Sequence, residues 1–205
     1  MKKHLIAVGI MAMTASPAFA QSSQSNTAFY MGVSAGQTKI DTGVSGLTGT
    51  ATLDESDTGY KIFGGLKLDD IWSAELQYAD FGTASLKGNN GDRFTFDGTQ
   101  YQFTANNVNL SVKAKSFGAA IVAGYDVTKA VRPYAKLGLH RWDSDATISS
   151  SAGNASLSDS GTDPFYGIGI QFSITDQLAA RVEAEHYKYD SEKAQLISIG
   201  LLYRF

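Results

Sequence analysis

Apolar side chains alternate with small or polar ones, with a period of two residues, in eight separate segments of the chain. Because successive side chains of a β-strand point to opposite faces, this period predicts strands that each carry one apolar face. The predicted strands lie near residues 27–39, 58–68, 72–82, 114–125, 132–142, 164–174, 178–189 and 194–205. The pattern therefore predicts an all-β fold.

The connections between these segments differ in length from one end of the strands to the other. Those near residues 68–71, 126–131 and 174–178 are short, whereas those near 40–57, 83–113 and 143–163 are long and polar. This arrangement is typical of outer-membrane barrels, which have short turns on one side and longer loops on the other. Asp97-Gly98, in the longest connection, is a favourable hairpin turn, so we expect strands three and four to extend beyond the membrane or to carry a small hairpin there.

The period of two alone allows a soluble sandwich, with apolar faces in its core, or a membrane barrel, with apolar faces against lipid. The barrel is favoured because the second face is rich in Gly, Ser and Ala, which suits a crowded lumen better than a solvated surface. Aromatic residues also fall near both ends of the strands, as interfacial girdles would require: Phe29, Trp72, Tyr125, Phe172 and Phe205 by the short turns, and Tyr60, Tyr78 and Phe117 by the long connections. We predict an eight-stranded antiparallel up-and-down transmembrane β-barrel.

The N-terminus has the features of a secretory signal. Lys2 and Lys3 precede an apolar stretch, and Ala18-Phe19-Ala20 is a small-residue cleavage site. We expect residues 1–20 to be a cleaved signal peptide and residues 21–205 to form the barrel in the bacterial outer membrane. The chain has no cysteine, so disulfides cannot support it, and its net charge of −3 offers no basic field for nucleic acid.

Strand parity directs eight charged side chains into the predicted lumen. The interior of an eight-stranded barrel is only wide enough for side chains, so we expect these charges to pair rather than to line an open channel. We predict one network across the lumen, formed by Glu75, Lys136, Arg181 and Glu183. The full inward set is Lys61, Lys67, Glu75, Lys136, Arg181, Glu183, Glu185 and Arg204.

Catalytic and cofactor motifs are absent from the sequence. A lipid A deacylase would need a Ser two residues after its His, but Lys188 follows His186 at that spacing. His140 faces inward without a second His that could share a metal ion, and no phosphate-binding glycine loop occurs. We therefore expect no catalytic, cofactor or metal site, and a filling or hydrogen-bonding role for both histidines.

Four segments resemble the transmembrane domain of the outer membrane protein A (OmpA) family: RPYAKLGLHRW at 132–142, FYGIGIQFSITD at 165–176, LAARVE at 178–183 and SIGLLYRF at 198–205. The resemblance implies a monomeric barrel with a role in envelope integrity or surface contact. Family members also carry a periplasmic peptidoglycan-binding domain, an activity that we do not expect of residues 1–205. The terminal pattern, with Tyr203 and Phe205, resembles the signal that such families present to the barrel-insertion machinery.

The resemblance further implies a salt-bridge network in the lumen with a proposed gating role. Its central arginine falls on Arg181, whereas its glutamate falls on Gln171 and its lysine on Val122. Neither substitute carries a charge, so the family's gate is not expected in its usual form. Gln171 is nevertheless included in the expected lumen site, beside Glu75, Lys136, Arg181 and Glu183.

These features favour one class of function and leave alternatives open. The favoured class is a non-catalytic barrel with a structural or surface-contact, adhesin-like role, in contact with outer-membrane lipid and lipopolysaccharide. Its long loops could also bind a host or other surface ligand. The alternatives are a small-ion pore or a surface-ligand receptor and, more distantly, a lipid A-modifying enzyme.

Overall fold

A computed structural model describes residues 28–151, 153–190 and 192–205. The predicted signal peptide, residues 1–20, lies outside the described residues. No helix among the residues described is long and apolar enough to cross a membrane. Strand is the main secondary structure throughout.

Eight long strands form a closed antiparallel barrel. Each pairs with its neighbours in the ring, and the first and last close it, with Val33 opposite Leu201 and Gly36 opposite Ser198. The predicted eight-stranded up-and-down barrel is confirmed. Its strands are β1 (Phe29–Asp41), β4 (Ser56–Lys67), β5 (Trp72–Gly88), β8 (Val108–Gly124), β9 (Val131–Ser150), β10 (Gly153–Ser173), β11 (Leu178–Tyr189) and β12 (Glu192–Arg204).

The two faces of the barrel wall are inverted relative to a water-soluble protein. The outward side chains of Ile62, Leu137 and Ile199 are 58%, 65% and 65% exposed, whereas the inward Lys61 and Lys136 are 1% and 3% exposed. An exposed apolar surface that extends around the whole wall requires a hydrocarbon environment rather than water. The aromatic residues predicted at both strand ends also lie on the exposed outer surface.

Four of the eight strands continue beyond the barrel at the end with the long connections. β9 and β10 stay paired from Val131–Phe172 to Ser150–Gly153, so the expectation of a polar loop at residues 143–163 is wrong. The segment lacks a marked apolar face because most of its residues are exposed to solvent. The extension is therefore stabilised by backbone hydrogen bonds between β9 and β10 rather than by burial of side chains.

The connection between β5 and β8 carries a small hairpin, as predicted. β6 (Arg93–Phe96) and β7 (Thr99–Gln102) pair around Asp97 and Gly98, whose φ angles of 47° and 72° suit the tight turn. β2 (Val44–Ser45) adds to β6, and β3 (Thr52–Asp54) adds to β5. Barrels of the predicted kind have short periplasmic turns and longer extracellular loops, so we name the two ends accordingly. We call β2, β6 and β7 the small sheet, and residues 42–55 with 83–113 the extracellular head.

Closure of the ring depends on a close approach between β1 and β12. A Cβ at Gly36 would lie 1.9 Å from the carbonyl oxygen of Ile197 and 2.5 Å from the Cα of Ser198. Because both contacts are with backbone, no rotation of a side chain can relieve them. Glycine at this position therefore permits the last strand to pair.

Replacement of Gly36 by Val should reduce the folded fraction, because the added side chain separates β1 from β12. The measurement is the electrophoretic shift between unboiled and boiled samples in mild detergent, which a closed barrel shows. The adjacent Ala35, which faces outward, provides the control Ala35→Val, and this variant should keep the shift. Equal shifts in both variants would contradict the proposed close approach.

Candidate functional site

The middle of the lumen is filled by six charged side chains, which we call the ion cluster. Three are cationic and three are anionic, so the cluster is formally neutral, and each residue is at most 3% exposed. An unpaired charge at this depth would be costly, and the equal numbers allow every charge to be compensated. The members are Lys61 on β4, Glu75 on β5, Lys136 on β9, and Arg181, Glu183 and Glu185 on β11.

Lys136 is the centre of the ion cluster. Its Nζ lies 3.2 Å from Oε1 of Glu75, 2.7 Å from Oε1 of Glu183 and 2.7 Å from Oε1 of Glu185. Lys61 pairs with the other oxygens of Glu183 and Glu185. The two lysines therefore bridge the carboxylates of β11 from different sides of the barrel.

Arg181 completes the cluster on the periplasmic side. Its Nη1 donates a hydrogen bond to Oε2 of Glu75 at 2.9 Å, and its guanidinium lies 4.5 Å from the ring centres of Phe63 and Tyr134. Such rings attract a cation through their electron-rich faces. Tyr30 donates a further hydrogen bond to Glu75, at 3.1 Å.

An aromatic layer lies next to the ion cluster, on its extracellular side. The ring of Tyr187 packs 4.7 Å from Phe81 and 5.1 Å from Phe165, and its hydroxyl donates to Oε1 of Glu185 at 2.9 Å. Gln77 joins the layers, because it donates to Tyr187 at 2.6 Å and accepts from Lys136 at 3.0 Å. The layer also contains Trp142, Tyr189 and His140.

His140 has a hydrogen-bonding role within this layer. Its Nε2 lies 2.8 Å from the carbonyl oxygen of Lys188, which can only accept, so Nε2 carries the proton. Its Nδ1 therefore accepts the hydroxyl of Ser116 at 2.9 Å. The other candidate, His186, stacks on Tyr166 at the outer surface. Within the described ranges, no group of His, Cys, Asp and Glu could hold a metal ion.

The four residues expected to form the lumen network lie together in the ion cluster. Gln171 lies beside them, opposite Arg181 in the β10–β11 pairing, and lines the periplasmic cavity. Sequence reasoning placed Lys61 and Glu185 inside the barrel but did not assign them to the network. Glu185 and Lys136 pair with the same residue, Gly167, from its two sides. Knowledge of the strand register would therefore have added Glu185 to the network.

The periplasmic mouth of the lumen is a cavity of about 340 Å³. Lys67 and Arg204, both in the inward set predicted from the sequence, line it, and so does Arg132, which pairs with Asp126 at 3.1 Å. Lys67 pairs with Asp70 at 3.1 Å, and Arg204 donates to Ser173 at 3.0 Å. The ion cluster and the aromatic layer separate this mouth from the extracellular one.

Comparisons with known proteins identify the family. The family model described as the outer membrane protein beta-barrel domain matches residues 5–205. The chain belongs to this family. It is 28% identical to outer membrane protein A of Salmonella typhi and 26% identical to that of Shigella flexneri, over 100% of this chain and 56% of each relative. It therefore spans just over half the length of the curated relatives that it matches.

Solved barrels have the same fold. Ail of Yersinia pestis, in complex with the heparin analogue sucrose octasulfate, aligns with a TM-score of 0.52 at 21% identity, over 86% of this chain and 99% of that one. OprG of Pseudomonas aeruginosa aligns with a TM-score of 0.53 at 14% identity, over 87% and 97%. Together with the family match, these findings place the protein in the bacterial outer membrane.

Two positions where the resemblance places lumen charges are uncharged here, and other residues supply the charges of the lumen. Val122, where the resemblance places a lysine, pairs in register with Lys136 on the next strand, so the ammonium group comes from the neighbouring strand. Gln171, where the resemblance places a glutamate, is neutral, and Arg181 pairs with Glu75 instead. The lumen therefore keeps compensated charges although two expected positions are uncharged.

Replacement of Lys136 by Met should lower the free energy of unfolding by about 3–5 kcal/mol, because three buried carboxylates lose a shared cation. Urea titration of the barrel in phospholipid bilayers measures the change. Lys115 lies at the rim, 52% exposed and 3.9 Å from Asp80, so the control Lys115→Met should cost less than about 1 kcal/mol.

A second substitution tests whether charge, rather than packing, causes the loss. Adding Glu185→Gln to Lys136→Met removes one of the uncompensated carboxylates, and the double variant should recover part of the lost stability. A double variant with a lower free energy of unfolding than Lys136→Met would instead show that charge compensation does not stabilise the ion cluster.

Proposed function

We propose that this outer-membrane protein is a sealed barrel that presents its extracellular head for contact with other surfaces. The observation that carries the proposal is the unequal height of the wall. β5, β8, β9 and β10 contain 17, 17, 20 and 21 residues, whereas the other four barrel strands contain 12 or 13. The longer strands hold a folded structure away from the membrane.

The extracellular head has a hydrophobic core of its own, which supports a contact role over simple shielding of the rim. Leu86, Phe103 and Val108 are buried there, and Phe94 and Leu110 pack against them. A packed head presents its surface with little loss of conformational entropy on binding. Flexible loops would shield the rim equally well without this core.

Polar contacts also fix the shape of the head. Asp92 accepts hydrogen bonds from the hydroxyl and backbone N–H of Thr50, at 2.7 and 3.1 Å, and from the backbone N–H of Asn89, at 2.9 Å. The Thr50 hydroxyl, followed by these N–H groups, lowers the pKa of Asp92. The carboxylate ties residues 42–55 to the β5–β8 connection.

Removal of residues 89–107, the outer part of the head, should abolish adherence while leaving the barrel folded. Gly88 and Val108 lie opposite each other, so an Asn-Gly turn can replace residues 89–107 without disturbing the ladder. Adherence of bacteria displaying the protein to epithelial cells should then fall to the level of bacteria that lack it.

The matched control shortens the other tall hairpin. Asp143 and Ser160 are also opposite each other, so an Asn-Gly turn can replace residues 144–159. Comparing the two variants shows which part of the extension makes contact. Unchanged adherence in both, with normal heat-dependent migration, would instead favour a purely structural envelope role.

The alternative function is a pore for small ions, and the two layers that fill the lumen argue against it. Planar-bilayer recordings of the purified barrel should show no discrete conductance, because an ion would have to cross both the ion cluster and the aromatic layer. Arg181→Ala tests the family's gating arrangement. Discrete conductance in the unmodified protein that changes in this variant would establish a gated pore in place of a sealed barrel.

We propose that the protein has no catalytic role.

We also propose that Tyr203 and Phe205 are recognised by the barrel-insertion machinery. Both are exposed on the outer wall, with ring centres 5.1 Å apart, and Phe205 lies 5.4 Å from Phe29 on β1. This arrangement places the terminal aromatic residues at the strand that closes the ring. We further propose that the protein is a monomer, because a closed ring has no free strand edge.

A further inference from the structure

Two cavities adjoin each other at the extracellular end, and we refer to them together as the cleft. Their volumes are about 300 and 290 Å³, and they share Thr42, Phe96 and Val112 as lining residues. One arm extends beneath the small sheet, and the other opens above the aromatic layer. The combined space lies within the range of roughly 300–1,000 Å³ that small-molecule sites occupy.

The arm beneath the small sheet is apolar. It lies between the aromatic side chains of β6 and β7 and the inner faces of β5 and β8. Among the described residues that line it, Thr42, Ser85 and Tyr101 are the only ones with a polar group in the side chain. Such a space favours an aliphatic chain or an aromatic ring over water. Its apolar lining includes Val44, Leu53, Leu86, Phe94 and Leu110.

The second arm carries an excess of negative charge. Its lining contains four carboxylates, from Asp41, Asp159, Asp190 and Glu192, and one ammonium group, from Lys193. Four carboxylates and one ammonium group give this lining a formal net charge of −3.

The floor of this second arm offers groups that suit a cation. Tyr189 is 8% exposed and lines the arm, yet its hydroxyl has no hydrogen-bond partner among the residues described. Trp142 lies beside it, with ring centres 5.5 Å apart. Aromatic faces attract ammonium groups, so these two rings suit a cation above them.

We propose that this cleft binds a small amphiphilic cation, in which an ammonium group is joined to an aliphatic chain or an aromatic ring. The ammonium group lies in the arm of Asp41 and Glu192, above Trp142 and Tyr189, and the apolar part extends beneath the small sheet. Neutral apolar molecules make no use of the acidic arm, and anions are repelled by it. This site is separate from the proposed contact with other surfaces, because a small ligand can bind to it when no second surface is present.

The two tryptophans of the chain provide a probe and its internal control. Trp142 lines the cleft, whereas Trp72 is 46% exposed on the outer wall by the short turns. Octylammonium is added to the barrel in phosphatidylcholine nanodiscs, and the two indole N–H resonances, assigned with Trp72→Phe, are followed by NMR. The Trp142 resonance should shift saturably and the Trp72 resonance should not, with weaker responses to 1-octanol and octanoate.

Two matched pairs of variants test the two arms. Glu192→Gln should weaken octylammonium binding by about three- to fivefold, whereas Asp70→Asn, at an exposed periplasmic turn, should leave it unchanged. Val112→Phe fills the junction of the arms and should weaken binding more than about tenfold. Val33→Phe, on the lipid-facing wall, is its control. Heat-dependent migration checks folding, and Glu192→Gln, which adds no volume, tests the site even if Val112→Phe misfolds.

Three outcomes would overturn the proposal. Parallel shifts of Trp142 and Trp72 would mean that octylammonium only partitions into the bilayer. Equal responses to octylammonium and 1-octanol would remove the role of the acidic arm. Saturable binding that Val112→Phe and Glu192→Gln both leave intact would place the ligand elsewhere on the barrel.

Discussion

The structure depends on complete backbone pairing in a medium that supplies no hydrogen bonds. A strand edge in hydrocarbon would leave N–H and C=O groups without partners, at a cost of several kcal/mol for each group. Pairing of β1 with β12 removes that edge, and the close approach at Gly36 allows it. The closed ring then determines the size of the lumen and limits what can fill it.

The contents of the lumen follow from this size. Eight strands leave space for side chains but not for bulk water, so inward charges have to compensate one another. Three cations and three carboxylates do so in the ion cluster, and the aromatic layer seals the side that faces the outside. The ion cluster and the aromatic layer thus separate a basic periplasmic mouth from an acidic extracellular cleft.

Sequence alone predicted the barrel and the direction of its inward charges, because a period of two is a local property of each strand. It did not show that Lys61 and Glu185 join the ion cluster. Two inward residues meet only if they lie at the same level along the barrel axis. That level depends on the stagger between strands, which cannot be read from a single segment of sequence. It also missed the hairpin at residues 143–163, because strands exposed to water on both faces have no apolar stripe to recognise.

The contact between Lys61 and the carboxylates of Glu183 and Glu185 joins residues more than 120 positions apart. A slip of one residue in the pairing of β4 would turn the ammonium group of Lys61 outward into the acyl chains. The compensation of the buried charges therefore depends on the strand register. A misaligned ring leaves ions uncompensated in lipid, and only the correctly paired ring brings all six together.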